Sequence, residues 1–388
     1  MSTADKKFVI GLTGNIATGK SVVRKMLEHL GAYGIDADAL SHRVIEKDAP
    51  GYQPVVDHFG KFILESDGNI NRGKLGTLVF SDPQALNKLE EIIHPYVRMA
   101  VEYLITKSPH KVVVVEAIKL LESTLHTKVD TVWVTVASEA NQLARLSKHR
   151  GMSEEEAQKR MAHQSPQKEK IAKASIVIDN NHTIEDTWNQ VQEAWQYLFP
   201  EDEQTRLEEM PALSQADGRE IDLAGVELLV SRARPGQAED IAGFINRLTG
   251  GKANLTRMDV MAAFGEKAYM ILSASNQMIG IVGWQVENLV ARVDEIWLHE
   301  NLELSAALQS LIPEIEEASR QLQAEAALIF IPTEMTKETD TWMKLGYELR
   351  PADDLSVNAW KEAALETIRD DTQMLFKQLR VDRVLRPL

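Results

Sequence analysis

The sequence predicts two units in one chain, an α/β domain built on a parallel sheet and then a mixed α+β domain. Three observations lead there. In residues 1–200, short β-branched runs such as "KVVVVEA" and "TVWVTVA" alternate with helix-like stretches, the pattern of βαβ units. At Pro200 the chain changes to "PEDEQTRLEEMPALSQADGREIDLAG", acidic and without an apolar period, which reads as a connector. The charge divides at the same place: residues 1–200 carry 24 basic and 25 acidic side chains, residues 201–388 carry 19 and 33. The expected units are residues 1–199, a connector over 200–223, and residues 224–388.

The elements follow in order. "KFVIGLTG" is a strand, and a helix pattern runs from Lys20 to about Leu30. "KVVVVEA", "TVWVTVA" and "SIVIDN" are further strands with helices between them, apolar on both faces as in a sheet covered on both sides. In the second half "VELLVSRARPGQAEDIAGFINRL" reads as strand, turn and helix. "AYMILSAS", "QMIGIVGWQVE" and "ARVDEIWLHE" read as three strands, with a Ser-Asn-Gln turn between the first two. A helix around Ala306–Leu322, a strand "ALIFIP", a short helix ending in "KLGYEL" and a C-terminal helix complete the reading.

Composition narrows the chemistry. With no cysteine, disulfides, thiolate metal sites and cysteine nucleophiles are excluded. No apolar run approaches the ~20 residues of a membrane-spanning helix, and "MSTADKKFVI" lacks the core of a signal peptide. A cytoplasmic location, with no membrane partner, is the expectation. The net charge of −15 lies almost wholly in the second half, which argues against nucleic acid as a partner.

"GNIATGKS" fits the pattern of a glycine-rich phosphate loop between a strand and a helix. Gly14 and Gly19 let the backbone curl, so that the N–H groups of Asn15, Ile16, Ala17 and Thr18 point inward. Those of Lys20, Ser21 and Val22 open the helix. Lys20 is placed to reach the β- and γ-phosphates of ATP, and Ser21 to ligate Mg²⁺. One helix further on, "GIDADALSH" sets Asp36 and Asp38 at the carboxyl end of the second strand, where α/β sheets bind ligands. A carboxylate there can take a proton from an attacking hydroxyl. Alternate strand residues point to opposite faces, so one aspartate faces the site and the other caps the next helix.

On these segments residues 1–199 resemble the dephospho-coenzyme A kinase family. The resemblance rests on "GLTGNIATGKS" and "IDADALSH", then "APGYQPVVDHFG", "DGNINRGKLGTLVF", "LEEIIHP", "QLARLSKHRGMSEEEAQKRMAHQ" and "IDNN", in order and in spacing. It implies a P-loop fold with helical acceptor-binding and lid segments, and transfer of the ATP γ-phosphoryl group to the ribose 3′-hydroxyl of dephospho-coenzyme A. By that carry-over Asp38 is the base, with Asp36 beside it, and Arg72 and His94 belong to the acceptor-binding part. Arg145 and Arg150 flank the lid, with His149 competing for the second position, and Asn180 lies on the adenine side. The family's Asp-x-Pro-Leu-Leu-x-Glu segment reads "EAIKLLE" here. Glu116 takes the place of its aspartate as a substrate-side and Mg²⁺-side carboxylate, and Ile118 takes the place of its proline.

Residues 224–350 resemble the GNAT acetyltransferase fold more faintly, on "GIVGWQVE", "ARVDEIWLHE", "ALIFIP" and "KLGYEL". That family binds a coenzyme A pyrophosphate on a glycine-containing loop after its fourth strand. The matching stretch "HENLELSAALQSL" has no glycine and two glutamates, so a regulatory or structural role is expected instead of acetyl transfer. Two other readings fit the loop: another P-loop small-molecule or nucleotide kinase, and a coenzyme-sensing protein with a weakened kinase half.

Overall fold

The computed structural model describes residues 6–200 and 226–380, with His149, Arg150 and Glu334 in backbone only. The expected connector falls almost entirely outside these residues. Elements of the first half are β1 (Phe8–Thr13), α1 (Lys20–His29), β2 (Tyr33–Asp36), α2 (Ala37–Arg43), α3 (Tyr52–Phe59), α4 (Arg72–Ser81) and α5 (Pro83–Lys107). They continue with β3 (Val112–Glu116), β4 (Thr131–Val136), α6 (Glu139–Arg150), α7 (Glu154–Ala162), α8 (Gln167–Ala172), β5 (Ile176–Asp179) and α9 (Ile184–Leu198). The five strands are all parallel, in the order β2-β3-β1-β4-β5. Period-two alternation sorts β3: Val113 and Val115 face a core shared with α2–α5, while Val112 and Val114 face α1 and α9. The carboxyl ends of β1, β2 and β3 therefore meet at the start of α1 and α2, at the sheet edge where ligands bind.

The second half comprises β6 (Leu229–Arg232), α10 (Ala238–Leu248), α11 (Arg257–Phe264), β7 (Ala268–Ala274), β8 (Gln277–Glu287), β9 (Val290–Leu298) and α12 (Leu304–Gln321). After these come β10 (Ala326–Pro332), α13 (Thr339–Lys344), β11 (Glu348–Leu349), α14 (Asn358–Thr367) and β12 (Thr372–Gln378). The seven strands run β11-β12-β10-β9-β8-β7-β6, antiparallel except for the pair β9 and β10. Several elements depart from the sequence reading, which has no helix at α11 and no strand at β11. The expected terminal helix is followed by β12, which pairs along the whole of β10. The β7–β8 turn is Ser275-Asn276, both at positive φ (49° and 61°), and Gln277 already belongs to β8.

The halves are in contact at several places, among them Asn69 with Asn358 and Arg72 with Glu362, and two contacts bear on the packing of the sheet layers. On one side α11 packs on α9: Arg257 donates to both oxygens of Glu185 at 2.8 Å, and His29 of α1 lies 2.7 Å from the Phe264 carbonyl. On the other, the β8–β9 turn reaches the helical layer of the first half. Its residues Asn288 and Leu289 have φ of 51° and 65°. Glycine is the usual choice at the second position of such a turn, and a bulky residue there costs about 1–3 kcal/mol. Leu289 is nevertheless buried in the apolar cluster of α2–α5, a gain of about 1.5–3 kcal/mol that offsets the strain. Beside it Arg43 donates to the Asn288 carbonyl and, at 2.9 Å, to Glu325. Both charged side chains are almost wholly buried (2% and 1% exposed). Removing one member of such a pair costs about 3–5 kcal/mol, because the other stays buried and charged.

Candidate active site

The phosphate loop joins β1 to α1 and is held from three sides by its own half. Glycine is required by close approach: a Cβ on Gly14 would lie 2.6 Å from the Thr135 carbonyl oxygen, and one on Gly19 only 1.8 Å from Nδ2 of Asn180. Ala17, at φ 57°, completes the curl. The Asn180 amide donates to the Thr18 carbonyl at 3.0 Å and accepts from Thr187 Oγ1 at 2.9 Å. Arg145 donates to the carbonyls of Ala17 (3.1 Å) and Asn180 (2.7 Å). The Ile16 N–H donates to Gln164 Oε1 at 2.8 Å, and Asn15 Nδ2 to the Ser165 carbonyl at 3.1 Å. Lys20 is buried across the loop, with Nζ 3.2 Å from the Asn15 carbonyl. Val22 is half-buried one turn into α1.

The acidic wall comes from the ends of β2 and β3. Asp36 closes β2 and caps α2 by accepting from the Ala39 N–H at 2.8 Å. Asp38 is not on the strand but in the first turn of α2, and its Oδ2 accepts from the Ile118 N–H at 3.0 Å. A proline at that position would have no N–H to give. Burial holds the Asp38 carboxyl above its usual value, against the pull of the Ile118 amide and of the nearby Lys20 charge. Asp36 is pushed up to about 6, first by burial and then by the charge of Glu116. Glu116, the last residue of β3, is buried and accepts from Ser21 Oγ (3.1 Å) and from Arg24 Nε (2.8 Å). Lys170 of α8 is buried opposite, donating to the Ile118 carbonyl at 2.5 Å. Burial lowers its pKa, and the charges of Lys20 and Asp38 both act on it.

Ser21 and Glu116 present two hard oxygens at one point, a donor set suited to Mg²⁺, which takes one or two protein ligands and substrate phosphates. Among the described residues no three His, Asp or Glu side chains gather into an all-protein metal cage.

Other expected residues lie apart from this group. Arg72, at the start of α4, is half-exposed and paired with Glu362 of the second half at 2.8 Å. His94 is exposed on α5, and Pro95 lies inside that helix. Arg150 closes α6, its side chain outside the described part. Sequence reading missed Arg24, Gln164 and Lys170. Arg24 alone had a local signal: it is one helical turn from Ser21 and pairs with Glu28 four residues on, at 2.6 Å.

Similarity to known proteins divides along the same line. The family described as dephospho-CoA kinase matches residues 8–186. The dephospho-CoA kinase of Geobacter sulfurreducens is 40% identical over 195 residues, 50% of this chain and 99% of that enzyme. That of Aquifex aeolicus is 44% identical over 191 residues, 49% of this chain and 96% of its own. A solved acetyltransferase of the GNAT family from Streptococcus pneumoniae is 15% identical with a TM-score of 0.30, covering 39% of this chain and 99% of that one. Because the curated relatives are matched along nearly their whole length, and the match takes in all five parallel strands, the chain belongs to the dephospho-CoA kinase family.

Proposed function

We propose that the chain transfers the γ-phosphoryl group of ATP to the ribose 3′-hydroxyl of dephospho-coenzyme A, giving coenzyme A and ADP. The observation that carries this is Asp38 and Lys170 both held on the backbone of Ile118, with the Lys20 charge acting on each. The loop N–H groups between Asn15 and Val22 cradle the phosphates, apart from those of Ile16, given to Gln164, and Thr18, given to the Asn15 carbonyl. Asp38, held by the Ile118 N–H, accepts the proton of the 3′-hydroxyl as that oxygen bonds to the γ-phosphorus. The bond from the γ-phosphorus to the bridging oxygen breaks, and ADP leaves. Lys20 and Lys170 stabilise the charge gathered on the transferring group. Ser21 and Glu116 would hold Mg²⁺, which neutralises phosphate charge when bound.

Asp36 supports α2 by capping it and adds negative charge behind Asp38. Arg145 shapes the loop from behind; Arg150 is the lid cation that closes over the phosphates. Asn180 borders the nucleotide through the loop it props. Arg72 and His94 are outer acceptor contacts, Arg72 after leaving Glu362. The test is an ADP-release assay on the full chain with ATP, Mg²⁺ and dephospho-coenzyme A, beside adenosine, AMP, CMP and shikimate. Turnover confined to dephospho-coenzyme A is expected, and a faster rate with AMP or CMP would replace this reading with a nucleotide kinase.

For the second half we infer a GNAT-like fold without acetyl transfer. β9 and β10 pair in parallel only from Val290 to Val293, and Asp294–Leu298 run on without β10. Beyond β9, Glu303 stands at the N-cap of α12, where carboxylate charge opposes an anionic pyrophosphate. No thiol release from acetyl-coenzyme A is expected with amine acceptors; steady release would overturn the inference.

A further inference from the structure

The β8–β9 turn is built against its own backbone preference. Asn288-Leu289 occupies a two-residue turn with both φ positive, where Asn-Gly is the default. The side chain that makes the turn costly is the one buried in the other half, among the apolar residues of α2–α5. On one side of Leu289, Arg43 is closed between the Asn288 carbonyl and Glu325. Arg43 is the last residue of α2, and Asp38 sits in the first turn of that helix. On the other side Glu287 lies 3.9 Å from Arg24, whose Nε is bonded to Glu116. Between these contacts is a cavity of about 130 Å³, lined by Ser21, Arg24 and Asp36 from one half and Glu287, Asn288 and Leu289 from the other. The phosphoryl transfer described above uses none of Leu289, Arg43 and Glu325. A tethered domain resting on its neighbour would not need a strained turn or a charge pair buried across the contact.

We propose that the β8–β9 hairpin is a brace of the kinase site: Leu289 and Glu325, acting through Arg43, hold α2 and thereby position Asp38 for the acceptor hydroxyl. Leu289, Arg43 and Glu325 are positioning residues, and the second half is a working part of the phosphoryl-transfer site. The inference rests on the reading of Asp38 as the base.

Leu289→Gly in the full chain separates the brace from simple folding, because glycine suits the turn and only the anchor is lost. The expected result is a fall in kcat of about tenfold, since small misplacement of a reacting group is costly, with the ATP KM within about twofold. Amide hydrogen exchange over residues 37–46 should quicken by about tenfold while β1 and β4 stay protected. Leu289→Met, which refills the pocket, should recover most of the loss. Glu325→Gln keeps an acceptor oxygen for Arg43 and should cost about threefold in kcat. Unchanged kcat and unchanged exchange in Leu289→Gly would overturn the brace. So would faster exchange throughout both halves with kcat and KM damaged together, which is the mark of general destabilisation. If the parent chain does not turn over dephospho-coenzyme A, the functional reading fails by itself, and exchange over 37–46 decides the brace alone.

Discussion

The two sides of the candidate active site are supported by different parts of the chain. On the nucleotide side every strut belongs to the first half: Asn180 under Thr18, Arg145 under Ala17, Gln164 against Ile16. On the acceptor side the helix bearing Asp38 ends on Arg43, which lies 3.5 Å from Glu46 of its own half and is bonded to Asn288 and Glu325 of the second. The struts of the phosphate loop therefore come from the first half, although α1 behind it meets the second half at Arg24 and His29, and acceptor alignment is shared between halves. Damage to one side should leave the other measurable.

The largest break is on the nucleotide side. Lys20→Ala removes the cation that follows charge onto the transferring group, and kcat should fall by about 10³-fold or more in the ADP-release assay. Asp38→Asn keeps shape and loses the base, so kcat should fall by about 10²–10⁴-fold with ATP binding by calorimetry retained. Normal turnover in Asp38→Asn would move the base elsewhere and remove the acceptor side from the contrast. Asn180→Ala gives the opposite split. Without the amide the loop loses a strut, and the ATP KM should rise about tenfold with kcat nearly kept. A fall in kcat alone would show that Asn180 serves the chemistry and not the loop.

How much of this was legible follows the same division. The loop could be read because its chemistry is local: glycines, lysine and serine lie within eight consecutive residues between a strand and a helix. Asp36 and Asp38 could be read as a pair with two roles, although the strand ends two residues too early for both to lie on it. Lys170 and Gln164 could not, since they act from α8 and the segment before it, about 150 residues from the loop they face. The Arg43–Glu325 pair joins residues 282 apart, and nothing near either one announces the other. β12 was missed because "TQMLFKQ" is short and follows a charged turn; its pairing with β10 makes it a strand, and β-propensity is set largely by such context.

The smallest expected effect concerns protons. A carboxyl held above its usual value works as a base only at higher pH, so the acid limb of kcat set by Asp38 should lie above the ordinary aspartate value of about 4, while the α2 cap Asp36 stands at about 6. Stability moves the other way. A carboxyl whose folded pKa is raised contributes stability below its ordinary value and loses it as pH climbs through the folded one, here between about 4 and 6. His29 opposes this. Burial, and then the Arg232 charge, depress it to about 3, so its contribution is present above its ordinary pKa and lost as pH falls from about 6.5 towards 3. The activity limb can be assigned by one substitution. Ile118→Pro deletes the N–H that favours ionised Asp38, and a hydrogen bond worth about 1.4 kcal/mol corresponds to one pKa unit. The acid limb of kcat should rise by about one pH unit, with turnover above pH 8 little changed, since the charged form is then complete in both proteins. A limb that stays in place in Ile118→Pro would assign it to a group other than Asp38, and the proton acceptor would have to be sought at the ends of β2 and β3 instead of in α2.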